Sequence, residues 1–209
     1  MKVLFLTNNK ESLILADWLV RIAGETVIAF GNELTIEYLK GVKPDFIVSY
    51  NYKHLIRENI LKILRSNRII NLHISYLPYN RGSNPNFWSI VEQTPCGVTI
   101  HRVDQGLDTG PILSQIRITF PDESITLAES YQILHRGIQR LFKQKWLDIK
   151  QNNLRARIQP KGGTKHTIKD FERVKITVLS KGWNTSIGEA RKNYNKFLLS
   201  SNLLYPRKV

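Results

Sequence analysis

Asn71 and His73 stand one residue apart at the end of a short apolar run, "RIINLH", and Asp108 sits in a glycine-flanked joint, "DQGLDTG". Alternate side chains of a strand share a face, so Asn71 and His73 point together, with Leu72 opposite. An amide beside an imidazole can polarise a carbonyl and stabilise the oxyanion that forms on it. The imidazole can exchange a proton with that centre or with an amine, and a nearby carboxylate can orient and charge it. Such a set moves an acyl group to an amine without a serine or cysteine nucleophile.

The same residues admit other readings. Asp-Thr-Gly can be a plain turn, Asn71 a capping residue and His73 a core histidine. An aspartic-protease reading needs two carboxylates sharing a proton, and only one such tripeptide occurs here, in a chain that is not all-β. His73, His101 and Asp108 could form a two-histidine, one-carboxylate metal set. His101 alternates with Thr99 and Val103 and so can share their face, but Asn71 would then be idle. The one cysteine, Cys96, excludes a disulfide within the chain, argues against a cysteine-based zinc site, and fits a cytoplasmic protein.

The elements that must position these residues follow from the apolar pattern. "KVLFL", "ETVIAF", "PDFIVSY" and "RIINLH" read as strands. Between them, "KESLILADWLVRIAG", "NELTIEYLKGV" and "HLIRENILKIL" have helical spacing, the first two closed by Gly24 and Gly41. Continuous apolar strands between helices indicate a doubly wound α/β domain with a mostly parallel sheet and helices on both faces. Asn71 and His73 then lie at the carboxyl end of a strand, where ligands bind in open α/β sheets. "SYLPYNRGSNPNFW" is a loop leading into a helix at "FWSIVEQ". "CGVTIHRV" and "PILSQIRITF" predict a hairpin joined by "DQGLDTG", and a long amphipathic helix spans about 124–149. From 150 the chain turns polar and closes on two helical patterns, "IKDFERVKITVL" and "SIGEARKNYNKFLL". The division by composition is a core over 1–149 and a basic extension over 150–209, suited to dimerisation or acceptor binding.

The chain has 209 residues, 42% of them hydrophobic, which suits one domain with a small appendage. No apolar run approaches the ~20 residues of a membrane helix, and "MKVLFLTNNK" is too short for a signal-peptide core. The net charge of +14 is uneven: residues 1–135 hold 13 basic and 13 acidic side chains, and 136–209 hold 18 basic and 4 acidic. An excess confined to one end suits an anionic partner, whether a nucleic acid, a phosphorylated small molecule or a membrane face, and is also what a solvated basic surface without a specific partner would show.

"NLHISYLPYNRG" followed by "GVTIHRVDQGLDTGPILSQ" resembles the folate-dependent formyltransferases. That family carries Asn-x-His-Pro-Ser-x-Leu-Pro, then a basic-Gly pair, then Gly-Val/Cys-Thr-x-His and Asp-[Thr/Ala]-Gly, with similar spacing. The resemblance covers roughly residues 1–135. It implies that Asn71, His73 and Asp108 are catalytic: Asn71 binds the formyl oxygen, His73 stabilises the oxyanion, and Asp108 holds His73 charged and helps deprotonate the amine. His101 then supports the site. The donor implied is 10-formyltetrahydrofolate, with no metal. Its pterin is held largely by backbone, here at Tyr52, Lys53 and His54 and at Asp104, Gln105, Gly106 and Leu107.

This chain departs from the family in places. Ile74 stands where proline usually follows the histidine. The stretch before Asn71 is short, and "TNNKES" after the first strand has no glycine, which disfavours a phosphate cradle there. Among the acceptors the resemblance allows, a nucleotide-linked amino sugar is expected. "LPYNRGSNPNFWS" looks like the acceptor loop of small sugar formyltransferases. Tyr76, Tyr79 and Trp88 suit stacking, and Arg81 suits a diphosphate. Initiator tRNA, glycinamide ribonucleotide and a non-catalytic RNA-binding relative are the alternatives. The hydrophobic positions in 171–205 suit a homodimer.

Overall fold

The computed structural model describes residues 1–64 and 66–201. The end of the 171–205 stretch expected to support a dimer, and Arg207 and Lys208 of the basic terminus, lie outside the described residues.

The chain begins with strands and helices in alternation: β1 Lys2–Leu6, α1 Leu13–Arg21, β2 Thr26–Phe30, α2 Ile36–Val42, β3 Phe46–Tyr50, α3 Glu58–Ile63 and β4 Ile69–His73. There follow β5 Arg81–Gly82, α4 Pro85–Val91, β6 Gly97–Arg102, β7 Ile112–Arg117 and α5 Leu127–Lys150. β8 Lys165–His166, α6 Ile168–Val178, β9 Ser180–Trp183 and α7 Ile187–Ser200 close it. Six strands form one sheet in the order β2-β1-β3-β4-β6-β7, and β5 pairs with β8 in a second. β1 runs parallel to β2 and β3, and β3 parallel to β4. β6 and β7 form the expected hairpin, closed where Arg102 N donates to Pro111 O (2.9 Å) and Ile118 N to Cys96 O (3.1 Å). This is the doubly wound, mostly parallel α/β architecture. Every residue of β3 is buried, as a parallel strand covered on both faces requires.

One helix end differs from expectation. Gly24 does take the left-handed conformation after α1 (φ 69°), but α2 runs through Gly41. Lys43 takes the left-handed position instead (φ 48°), its N–H donating to Leu39 O (2.8 Å). The stop is set by the bond to Leu39, which a non-glycine residue can also reach at modest strain.

The chain packs as two compact units that interleave along the sequence and do not divide at residue 149. One comprises 1–73, 100–114 and 141–158; the other comprises 74–99, 115–140 and 159 onward. In the first, Leu4, Leu6, Leu39, Ile47, Ile60 and Ile69 belong to one buried cluster. Phe46 meets Trp146 edge-on (5.3 Å, 83°). Buried Glu25 accepts from the Met1 amino group (2.7 Å), Lys150 Nζ (2.7 Å) and Trp146 Nε1 (3.1 Å). In the second unit, Phe87, Trp88 and Ile90 of α4 pack with Phe171 and Val174 of α6 and Ile187 of α7. Thr167 and Asp170 form a reciprocal capping box that starts α6, and Ser186 caps α7. Among the described residues, no helix is long and apolar enough to cross a membrane.

Candidate active site

Asn71, His73, His101 and Asp108 come together in the first unit. β4 carries Asn71 and His73. β6, antiparallel beside it through Val103 N donating to Ile69 O (3.1 Å), sets His101 next to Asn71. Asn71 Nδ2 donates to Asp108 Oδ1 (3.0 Å) and lies 3.3 Å from His101 Nε2. His73 Nδ1 is 3.7 Å from Asp108 Oδ2, and His101 Nε2 is 3.4 Å from Asp108 Oδ1. The His73 and His101 rings meet edge-on at 6.3 Å. His101 and His73 are buried, and the Asp108 side chain is only 11% exposed.

The hydrogen-bond roles are constrained. His101 Nδ1 lies 2.7 Å from Arg102 O, which can only accept, so Nδ1 carries a hydrogen. In the neutral ring Nε2 then accepts from the Asn71 amide. Asn71 must turn its nitrogen toward Asp108, because its carbonyl oxygen there would oppose a carboxylate. Asp108 therefore gathers an amide donor and two imidazoles around one nearly buried carboxylate. A cation held by His73, His101 and Asp108 would have to displace that amide. Among the described residues no group of three or more His, Cys, Asp or Glu side chains has metal-holding geometry. Burial pushes the Cys96 thiol up, which leaves it a poor nucleophile.

The joint before and after Asp108 is built to hold it. Asp104 Oδ1 accepts from Gly106 N (3.1 Å) and Thr109 Oγ1 (2.6 Å). A side chain at Gly106 would collide with Thr109 Oγ1 (2.0 Å), and one at Gly110 with Arg102 O (1.9 Å). Asp108 adopts a left-handed backbone, φ 53°. Gln105, Gly106 and Leu107 are exposed at the apex, whereas Asp104 Oδ1 is bonded inside the turn.

Tyr52, Lys53 and His54 follow β3. The Tyr52 hydroxyl donates to Asn32 O (2.6 Å), its ring lies 5.2 Å from that of His54, and burial pushes its pKa up. Lys53 N donates to Asn8 Oδ1 (2.9 Å), so one backbone donor of this loop is already taken.

The residues expected to bind the acceptor belong to the second unit. Tyr76 and Tyr79 are half-buried, with Arg117 over the Tyr76 ring at 5.0 Å. Arg81 Nε and Nη2 both donate to Gln159 Oε1 (3.1 and 2.8 Å). The expectation that Trp88 stacks on a substrate is corrected: it is 3% exposed and lies flat on His166 (4.0 Å, 9°) within the helical core. His166 in turn meets Glu92 (3.1 Å). The helical period turns Trp88 inward, because α4 is buried on every side.

Ile74, in place of the usual proline, is buried, and the backbone after it is fixed by other means. Thr99 Oγ1 donates to Ser75 O (2.7 Å) and accepts from Leu77 N (3.2 Å), while Gln115 Nε2 donates to Leu77 O (3.0 Å). Further on, Asn80 N donates to Thr164 Oγ1 (2.8 Å), which donates to Asn80 Oδ1 (3.0 Å). The sequence does not single out Asn8, Thr99, Gln115 or Thr164 as functional, although Thr99 and Gln115 lie within the stretch "GVTIHRVDQGLDTGPILSQ".

A family model described as formyl transferase matches residues 25–138. The formyltransferase PseJ of Anoxybacillus kamchatkensis, solved with UDP-4,6-dideoxy-4-formamido-L-AltNAc and tetrahydrofolate, is 37% identical. It superposes with a TM-score of 0.83 over 91% of this chain and 97% of that one. A Mycobacterium tuberculosis protein described as a candidate sugar N-formyltransferase is 25% identical, with a TM-score of 0.73 over 83% and 78% of the two chains. A sugar N-formyltransferase from Shewanella sp., at 23% identity and a TM-score of 0.72 over 84% and 80%, shares the fold. Matched by the family model over more than half its length, and similar to PseJ over nearly all of it, this chain belongs to the formyl transferase family.

Proposed function

We propose that this chain transfers the formyl group of 10-formyltetrahydrofolate to the 4-amino group of a UDP-linked 4-amino-4,6-dideoxy sugar. The observation that carries this reading is the likeness to PseJ, 37% identical over 91% of this chain. The two molecules in the PseJ complex, a formamido nucleotide sugar and tetrahydrofolate, are the products such a transfer yields. The Asn71, His73 and Asp108 cluster supports the chemistry independently.

The donor supplies an acyl carbon. The amine nitrogen bonds to it, the bond from that carbon to N10 breaks, and one amine proton passes to N10, leaving a formamide and tetrahydrofolate. This chain's residues lower the cost of the charge that develops. One Asn71 amide hydrogen stays on Asp108, and the other, on the longer bond to His101, is exchanged for the formyl oxygen. His73, whose Nδ1 faces Asp108 Oδ2 at 3.7 Å, is placed to stabilise the same oxygen and to relay a proton. Asp108 takes the amine proton, directly or through water. Until the formyl oxygen takes its place, His101 keeps Asn71 oriented.

Backbone groups at 52–54 and 104–107 suit the pterin, since the side chains of Tyr52 and Asp104 are committed to internal bonds. Tyr76, Tyr79 and Arg81 are assigned to the nucleotide sugar, and the basic extension from residue 150 adds to its attraction. A homodimer formed through C-terminal elements fits the exposed Ile168, Ile176 and Leu199. Light scattering giving only a 24.2 kDa species would remove it.

The test is an acceptor panel read by tetrahydrofolate release: UDP- and dTDP-linked 4-amino and 3-amino sugars, glycinamide ribonucleotide and charged initiator tRNA. Release that depends on a UDP-4-amino sugar supports the reading. Release specific to tRNA, or independent of any acceptor, replaces it with another acceptor or a hydrolase.

A further inference from the structure

We propose that Asn8 is a positioning residue for the folate donor, acting as a strut that fixes the loop after β3 against the ends of β1 and β2. This rests on the folate-dependent reading above, and it assigns a task to a segment whose sequence offered none.

The loop after β1, Thr7–Ser12, lies at the carboxyl edge of the sheet, where an α/β protein often cradles phosphate with backbone N–H groups. Here most of those groups are spent. Asn8 N donates to Asn51 O (3.0 Å), Asn9 N to Thr7 Oγ1 (3.1 Å), Glu11 N to Asn9 Oδ1 (2.9 Å) and Ser12 N to Asn9 O (3.1 Å). The bonds of the loop run inward and to its neighbours, so it braces the adjoining strand ends.

The Asn8 side chain works at both ends. Its Nδ2 donates to Gly31 O (2.6 Å) just past β2, and its Oδ1 accepts from Lys53 N (2.9 Å) past β3. With its own N–H on Asn51 O, one residue ties three strand ends together. Asn51, left-handed at φ 54°, is pinned again where its Nδ2 donates to Ser12 Oγ (3.0 Å). A second strut runs alongside, from the Tyr52 hydroxyl to Asn32 O (2.6 Å). Gly31 leaves room for this arrangement: a side chain there would meet Thr7 O at 2.9 Å and Asn8 Nδ2 at 3.2 Å.

A loop that recognises its ligand through backbone groups depends on where the backbone is held, and an error of a fraction of an ångström is costly in such a site. Asn8 itself is exposed, so its removal leaves water to satisfy Gly31 and Lys53. Its loss therefore affects donor affinity more than folding. A residue of purely structural importance would behave in the opposite way.

The experiment measures tetrahydrofolate binding by fluorescence titration, donor KM, acceptor KM and Tm for the wild-type chain, Asn8→Ala and Tyr52→Phe. Asn8→Ala is expected to weaken folate binding and raise donor KM roughly fivefold or more, about the worth of one net hydrogen bond. Acceptor KM and Tm stay close to wild type. Tyr52→Phe, which deletes a single hydroxyl, shifts the same two quantities in the same direction and keeps the test open if Asn8→Ala folds poorly. Both variants binding folate as tightly as wild type, or Asn8→Ala lowering Tm with donor KM unchanged, would overturn the assignment. A folded wild-type chain that binds no folate would overturn the functional reading beneath it.

Discussion

Asn71 Nδ2 reaches Asp108 Oδ1 at 3.0 Å across 37 residues of sequence, and Asp108 takes a left-handed backbone to meet it. The amide and the carboxylate thereby hold each other before any substrate arrives. Preorganisation of this kind makes an electrostatic site effective, because no dipole has to turn during the reaction.

Asp108→Asn removes the charge and keeps the shape. Turnover is expected to fall by ~10²–10⁴, with folate binding retained. His73→Ala falls at least as far. Steady-state rates alongside a folate titration check both, and a rate within a few-fold of wild type for Asp108→Asn would remove it from proton transfer.

Thr164 closes a buried exchange with Asn80, which has no exposed surface. Thr164→Val keeps the volume but removes the two bonds that Thr164 Oγ1 makes with Asn80, at a cost of about 0.5–1.5 kcal/mol each. Calorimetry should show a lower Tm, by about 2–4 °C per kcal/mol. Acceptor KM should rise more than donor KM, because the loop assigned to the sugar is the one that loosens.

His135 is buried on α5 against Tyr131, and burial holds its pKa down, from 6.5 to about 4. The unfolded chain takes the proton first, so stability is full above pH 6.5 and is lost as pH falls toward 4. The loss reaches about 3 kcal/mol. Urea unfolding across that window checks it, and His135→Phe should flatten the slope.

Glu25 extends the acid sensitivity lower. Burial alone would raise its pKa, but hydrogen bonds from Lys150, the chain-start amino group and Trp146 outweigh burial and hold it below 4.5. Its contribution is present above pH 4.5 and is lost as pH falls through the lowered value. Glu25→Gln should be less stable than wild type at neutral pH and converge with it in acid, as followed by unfolding at each pH.

The sheet was legible because β1 and β3 are apolar at nearly every position, and the site because Asn71, His73 and Asp108 carry chemistry in the chain itself. Trp88 was misread. The resemblance of "LPYNRGSNPNFWS" to an acceptor loop implies a substrate contact, whereas α4 is enclosed by α6 and α7, whose approach no local pattern encodes. The two-residue β5–β8 pair, Arg81 opposite Lys165, is too short to leave a period and depends on residues more than eighty apart. Asn8 went unnoticed for a related reason: its partners Gly31 and Lys53 lie on other strand ends.

The most direct single measurement supplies 10-formyltetrahydrofolate with an isotope-labelled formyl carbon, together with a UDP-linked 4-amino-4,6-dideoxy sugar, and follows the label by NMR. The account predicts that the label appears as a sugar formamide, one for each tetrahydrofolate released, and that Asp108→Asn slows its appearance by ~10² or more. Label recovered as free formate, or left on the folate while the sugar amine stays unmodified, would contradict it.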